Sequence, residues 1–236
     1  MQKHPVLFIG QVIVGAAVVA AGAIVARAQD SPRIEVAVET GYTASEGIKA
    51  SQPRVIAGQV YNDLDIKSGG NLGLTFGVFV TPNAELEFLW NRQFSTFNAS
   101  NPAPAIDLAD VSVDNFHGNF VYNWFDGSAK SRPFIFIGLG ATHYAPGEPA
   151  PLPSTGPARP SSIDSATKFS WSLGGGVKVY PAQHVGLRLT ARWTPTYIKS
   201  DSEGVWCDPF YPTCWVLADP DYSNQFALTG GLTLRF

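Results

Sequence analysis

Few residues in this chain have the types and the spacing that chemistry requires. The two cysteines, Cys207 and Cys214, enclose the segment DPFYPT, and a pair this close predicts a local disulfide if the protein is exported. Two thiols without a nearby histidine do not complete a metal site. The histidines at 117, 143 and 184 fall on separate predicted strands or turns without ligand spacing. The sequence therefore predicts neither a metal centre nor a cofactor.

Charged side chains are the second group able to do chemistry, and they recur at alternate positions of otherwise apolar segments. Two carboxylates two positions apart, as at Glu85 and Glu87, are costly to bury unless they meet water or a partner. The pattern predicts that acids from early segments and bases from late segments share one interior. The members of this predicted charge network are Glu35, Glu39, Glu85, Glu87, Lys168, Lys178, Arg188, Arg192 and Arg235.

Strands must hold these charges, because the alternation has a period of two. In one segment Leu187 and Leu189 alternate with Arg188 and Thr190, so one face is apolar and the other is polar. Eight such strands are predicted, at about residues 33–43, 71–80, 84–93, 115–124, 133–144, 167–179, 185–194 and 224–236. Their connections alternate long and short, and the long ones cover about residues 45–70, 95–110, 145–164 and 199–223.

The N-terminus has the layout of a secretory signal peptide. Lys3 and His4 precede a long apolar run, which ends in Ala26-Arg27-Ala28. Such a pattern predicts cleavage after residue 28, with an uncleaved membrane anchor as the alternative. Beyond this point the longest apolar run, residues 134–141, is too short for a spanning helix. Any membrane crossing by the mature chain must therefore use the strands of a closed barrel.

Composition agrees with this interpretation and excludes one large class of partner. Charged residues make up 15% of the chain, aromatic residues make up 12%, and there are 23 glycines, which favours short strands and turns. The formal net charge is −3. A nucleic-acid-binding protein would carry a basic stripe, and this sequence has none.

The last strand carries a resemblance to a known family. It reads NQFALTGGLTLRF and ends in Phe236, with Phe226, Leu228, Leu232 and Leu234 on the same face. Together with the turn and strand TPNAELEF, this resembles the small outer-membrane β-barrels represented by the OmpA transmembrane domain, OmpX and OmpW. The resemblance implies an all-β fold, an eight-stranded antiparallel up-and-down transmembrane barrel. It covers residues 29–236, after a signal peptide at residues 1–28.

The same resemblance implies location and general partners. A chain of this family lies in the outer membrane of a Gram-negative bacterium, in contact with lipid and lipopolysaccharide, and the barrel-assembly machinery reads its terminal strand, here ending in Phe236. A soluble barrel of the lipocalin type would show the same alternation with its faces reversed. The rhythm of long and short connections favours the membrane barrel.

Fold does not select the function of such a barrel. We expect a structural or surface-interaction role, because an interior of about eight strands is only wide enough for side chains to fill. A small-solute pore is the first alternative. A lipid A-modifying enzyme is the second, for which His143, Ser161, Ser162 and Asp164 are the available residues. We expect no enzymatic activity, because no His-x-Ser pair appears on one strand face and a proline-rich loop would not hold a base within hydrogen-bond reach of the nucleophile.

One long connection contains a cluster of aromatic residues around the two cysteines. Exposed rings on a constrained loop suit binding of a partner, a glycan or a surface. A self-packed loop tip, in which the rings cover one another, explains the same residues equally well. The members of this loop aromatic cluster are Trp206, Phe210, Tyr211 and Trp215.

Overall fold

A computed structural model describes residues 33–46, 48–56, 59–125, 129–149, 165–198, 206–208, 213–215 and 222–236. The predicted signal peptide lies outside these residues. Among the described residues, no helix is long and apolar enough to span a membrane. The strands, in chain order, are β1 (Ile34–Ser45), β2 (Ile48–Ile56), β3 (Gln59–Ile66), β4 (Gly69–Phe79), β5 (Ala84–Pro102), β6 (Ile106–Asn123), β7 (Ser131–Pro149), β8 (Ala166–Val179), β9 (Val185–Tyr197), β10 (Trp206–Asp208), β11 (Thr213–Trp215) and β12 (Tyr222–Arg235).

Eight of these strands close into an antiparallel barrel, as the sequence predicted. Their order around the wall is β1, β4, β5, β6, β7, β8, β9 and β12. The last strand then pairs with the first, with Glu35 opposite Arg235 and Tyr42 opposite Leu228. At the end of this seam the backbone N–H of Phe236 donates to the carbonyl of Ile34 at 2.9 Å. The wall therefore has no free edge along the seam.

The two ends of the barrel differ in their connections. At one end, which we call the turn end, strands are joined by residues 80–83, 124–130 and 180–184. At the other end, which we call the loop end, the connections are longer or the strands themselves continue beyond the barrel. The predicted asymmetry of the connections is thus present.

Alternate side chains point to opposite sides of the wall. On β4, Leu72, Leu74 and Phe76 point outward and are exposed, whereas Asn71 and Thr75 point inward and are buried. The same division holds on β9, where Leu187 is exposed and Arg188 is buried. The outside of the barrel is therefore apolar and its interior is polar, which is the reverse of a soluble ligand-binding barrel.

Two of the predicted long connections contain strands that project beyond the barrel. Residues 95–110 are mostly strand, because β5 and β6 continue past the barrel as one hairpin whose pairing reaches Ala99 opposite Ile106 after a bulge. The stretch 45–70 contains the hairpin of β2 and β3, and β3 adds to the projecting part of β5, with Ile66 opposite Phe97. These strands lie past the part of the barrel whose outer surface is apolar. They therefore do not need a continuous apolar face.

The last long connection also contains strand structure. Residues 206–208 and 213–215 form a separate two-stranded sheet. The sequence predicted a long connection with a disulfide over about residues 199–223 and did not identify these two short strands. The rest of that connection up to residue 221 lies outside the described residues.

Candidate functional site

The interior near the turn end is filled by ion pairs centred on Arg188. This residue points inward from β9, and its Nε lies 2.8 Å from Oε1 of Glu39. Its Nη1 lies 2.5 Å from Oε2 of Glu87 and 3.9 Å from Oε1 of Glu35. The guanidinium therefore joins β9 to both β1 and β5 across the lumen, and its side chain is fully buried.

Lys178 makes the second set of ion pairs beside the first. It lies directly opposite Arg188 in the pairing of β8 and β9. Its Nζ is 2.6 Å from Oε1 of Glu35 and 2.8 Å from Oε2 of Glu85. The hydroxyl of Tyr180 donates to the other oxygen of Glu35 at 2.5 Å. Four acids from two strands are thus held by two bases from two others.

Glycine on the strand between these acids makes the arrangement possible. β4 lies between β1 and β5, and its inward position 77 has no side chain. A Cβ at Gly77 would lie 1.8 Å from Oε1 of Glu85, so any larger residue would displace that carboxylate. Aromatic rings complete the enclosure, since Arg188 and Lys178 both lie over the ring of Phe134, at 4.7 Å and 5.2 Å from its centroid.

Burial decides the energetics of this cluster. Removing a charged group from water costs several kcal/mol, and a buried ion pair offsets this desolvation penalty only if its geometry is good and further hydrogen bonds are made. Here Asn119 donates to Glu87 at 2.9 Å, and Thr190 and Thr229 donate to the two oxygens of Glu39. Hydrogen bonds thus supplement the ion pairs at these two carboxylates.

The ion pairs described for Arg188 and Lys178 do not include the other three predicted bases. Arg192 is buried on β9, and its guanidinium lies over the ring of Phe136 at 5.4 Å. Arg235 lies at the turn end, where it stacks on Tyr180 at 3.8 Å and donates to the carbonyl of Gln183. Lys168 is half-buried near the loop end, and the described ion pairs do not include it.

A layer of uncharged polar side chains fills the interior above the ion pairs, toward the loop end. Its centre is the hydroxyl of Thr142, which lies within 3.0 Å of Asn115, Ser170 and Thr196. A chain of amides then crosses the lumen, because Asn115 donates to Gln225, Gln225 donates to Gln93, and Gln93 bonds with Ser45. Sequence reasoning missed this layer. Its only signal was polar residues at alternate strand positions.

Beyond the polar layer the interior becomes apolar. Ile66, Phe97, Val111, Val113 and Tyr144 form a buried cluster at the loop end. These residues come from β3 and from the projecting parts of β5, β6 and β7. The projecting strands therefore have their own core, which the sequence interpretation also missed because it treated their segments as loops.

Of the candidate catalytic residues, His143 is the one that the structure describes. His143 bonds through Nδ1 to the hydroxyl of Thr167 at 2.8 Å, while Ser161, Ser162 and Asp164 lie outside the described residues. A different histidine and serine do meet, since Nε2 of His117 lies 2.9 Å from Oγ of Ser170. Both are buried inside the barrel, where they belong to the polar layer. No cluster of metal-ligating residues occurs in the described part of the chain.

The loop aromatic cluster and the cysteines are described only in part. The backbone places Trp206 opposite Trp215 and Cys207 opposite Cys214 in the small hairpin. The side chains of these four residues, and all of Phe210 and Tyr211, lie outside the described part. The disulfide and the two alternatives for the aromatic rings therefore stay predictions.

Comparison with known proteins agrees with this architecture. Residues 14–236 match the family described as outer membrane protein beta-barrel domain. No curated protein matches the chain.

Solved structures of low sequence identity share the fold. The outer membrane protein OprG from Pseudomonas aeruginosa is 14% identical, with a TM-score of 0.58 over 87% of this chain and 97% of that one. Neisserial surface protein A is 12% identical, with a TM-score of 0.54 over 88% of this chain and 100% of the other. The outer membrane protein AlkL, solved in lipid bilayers, is 13% identical, with a TM-score of 0.50 over 89% and 94% of the two chains.

Proposed function

Because the chain belongs to the outer membrane protein β-barrel domain family, we propose that it is a closed barrel that anchors a projecting β-sheet at the surface of a Gram-negative cell. The outer membrane is its location. Short turns face the periplasm and long connections face the outside in such barrels. The turn end is thus the periplasmic end, and the apolar outer face contacts lipid.

The filled lumen carries the first half of this proposal. Arg188 and Lys178 bridge strands from different parts of the wall, and both are fully buried together with Glu85 and Glu87. An eight-stranded barrel has an interior that side chains alone can fill. Above the ion pairs, Thr142 and Gln93 belong to a second, hydrogen-bonded layer. Neither layer leaves these polar groups accessible to solvent, which supports a barrel that does not conduct.

The projecting strands support the second half. β5, β6 and β7 continue outside the barrel, β3 pairs with the projecting part of β5, and β2 forms the edge of this sheet, which has its own apolar cluster. Because β5, β6 and β7 run without a break from the barrel into this sheet, its outer residues are held away from the membrane. Such an element suits a structural or surface-interaction role, with an extracellular ligand bound at the sheet or at the adjoining loops.

A solute-flux experiment tests this proposal against the small-solute pore. Protein refolded into vesicles is checked for heat-modifiable migration on a gel, which reports the folded barrel. Vesicles are then placed in isotonic sugar or amino-acid solution and monitored for swelling. We expect the same swelling rate as in protein-free vesicles. Swelling that rises with the amount of folded protein would replace the closed barrel with a pore.

The proposal includes no enzymatic activity. Catalysis by a serine requires a base within hydrogen-bond reach and access for substrate. His117 and Ser170 satisfy the first condition only, since both side chains are almost completely buried. Incubation of folded protein with lipid A should release no fatty acid. Release that is lost in Ser170→Ala would identify an enzyme.

Two further partners belong to the proposal. Lipopolysaccharide is expected against the outer part of the apolar wall, since that wall faces the lipid of the outer membrane. The barrel-assembly machinery is expected to read β12 through Phe236, whose side chain is exposed at the periplasmic end. Substitution of Phe236 should therefore reduce the folded yield in cells more than it reduces refolding in vitro.

A further inference from the structure

The lipid-facing wall has a hollow over Gly118 on β6. On the outer face, Gly118 lies between Phe88 of β5 and Leu139 of β7 in the strand pairing. A Cβ built at Gly118 would meet no atom within 4 Å. The backbone of Gly118 therefore forms the floor of the hollow, and the larger residues around it form the walls. The volume of the hollow is about 700 Å³.

The walls of the hollow are apolar and project outward. Phe88 is 54% exposed and Leu139 is 64% exposed. Phe76, Phe120 and Ile137 continue the wall above and below them. Aromatic and branched side chains of this kind have few rotamers, which gives the hollow a defined shape.

The depth of the hollow in the membrane indicates which lipid can reach it. Gly118 lies five residues before Asn123, the periplasmic end of β6, which corresponds to about 17 Å along the strand. With the usual strand tilt, this is near the middle of an apolar band about 25 Å tall. Val78 and Leu86, which also line the hollow, lie near the periplasmic ends of β4 and β5. The hollow thus extends from the bilayer centre toward the periplasmic leaflet.

We infer that this hollow binds one acyl chain of a phospholipid from the periplasmic leaflet. Bulk lipid is as apolar as the wall, so transfer from water supplies no preference among surface sites. Preference comes from dispersion contacts, which increase when a flexible chain touches rigid walls on both sides and a floor beneath. The floor is less open at Gly230, an outward position on β12, where a Cβ would meet Cδ2 of Leu189 at 3.2 Å.

Photocrosslinking tests this inference directly. Folded protein is placed in vesicles whose phosphatidylethanolamine carries a diazirine in the middle of one acyl chain, and adducts are mapped by peptide mass spectrometry. We expect adducts to concentrate on Phe88, Leu139 and their neighbours on β5 to β7. An even distribution around the barrel would overturn the inference, and this comparison needs no variant.

Two matched substitutions extend the test. Gly118→Leu fills the hollow with a side chain that meets open space. The number of adducts at the hollow should then fall to the number found on the opposite side of the barrel. Gly230→Leu makes the same change on β12 and should leave them unchanged. Adducts that survive Gly118→Leu would contradict a site at this hollow. A second set of vesicles carries diazirine-labelled lipid A in one leaflet only. If lipid A labels the hollow and labelled phospholipid does not, the acyl chain does not come from a phospholipid and the inference is overturned.

Discussion

Arg188 and Glu87 meet inside the barrel at 2.5 Å between Nη1 and Oε2, although they lie 101 positions apart in the sequence. Each comes from the turn-end part of a different strand, and neither side chain contacts solvent. The bond therefore depends on closure of the whole barrel and not on any local element. The same bond therefore stabilises the barrel wall and fills the lumen with side chains.

Replacing Arg188 should be strongly destabilising. Arg188→Met leaves three carboxylates near an uncharged side chain, and loss of one partner of a buried ion pair costs about 3–5 kcal/mol. Reversible urea unfolding in lipid vesicles measures this change. The matched control is Lys67→Met, because Lys67 and Asp107 form an exposed pair, and such pairs contribute about 0–1 kcal/mol. Equal effects of the two substitutions would contradict the importance of the buried network.

Gly77 should not tolerate even a methyl group. Because a Cβ at this position would lie 1.8 Å from Oε1 of Glu85, Gly77→Ala should displace that carboxylate from Lys178. Overpacking of this kind costs about 1–3 kcal/mol. Gly118→Ala places its methyl in open space and should be close to neutral. The midpoint of heat modifiability on gels compares the two variants, and a neutral Gly77→Ala would show that the carboxylate has another stable position.

The uncharged layer should also contribute to stability. Thr142→Val keeps the shape of the side chain but removes the hydroxyl that contacts Asn115, Ser170 and Thr196. Leaving buried polar groups without a partner costs about 1–3 kcal/mol. Thr167→Val, at an exposed position on β8, is the control. If both variants unfold at the same urea concentration as the wild type, the layer does not hold the strands together.

The small hairpin of β10 and β11 should contain a disulfide. Cys207 and Cys214 are Cα partners across two antiparallel strands, and such pairs lie about 4.5–5.5 Å apart, within the range that a disulfide spans. Peptide mapping of the oxidised protein should identify the Cys207–Cys214 link. Cys207→Ser with Cys214→Ser should keep the heat-modifiable barrel, because the hairpin is not part of the wall. Two free thiols in protein isolated from the outer membrane would contradict the prediction.

The strand pattern and the division of the wall into two faces were predictable, since apolar residues alternate wherever the wall contacts lipid. Leu187 and Arg188 show this directly in sequence. The same reasoning failed for residues 95–110, because β5 and β6 continue beyond the membrane, where nothing requires an apolar outer face. Both parts of that hairpin resemble loops in composition.

The charged residues of the interior were also predictable, but their pairing was not. Which acid meets Arg188 depends on the stagger of strands around the barrel, and alternation does not encode that stagger. The uncharged layer was missed for a related reason. Thr142 and Gln225 occupy ordinary inward positions, and only closure of the barrel brings them to the same level.

The most direct test of the closed barrel is single-channel conductance of the folded protein in a planar bilayer. Heat-modifiable migration first confirms folding, and an equal amount of unfolded protein provides the baseline. The ion-pair network and the polar layer predict no steady conductance from the wild-type protein. A steady conductance that changes in Glu85→Gln or Arg188→Gln would show that ions pass these residues, and it would contradict the closed lumen.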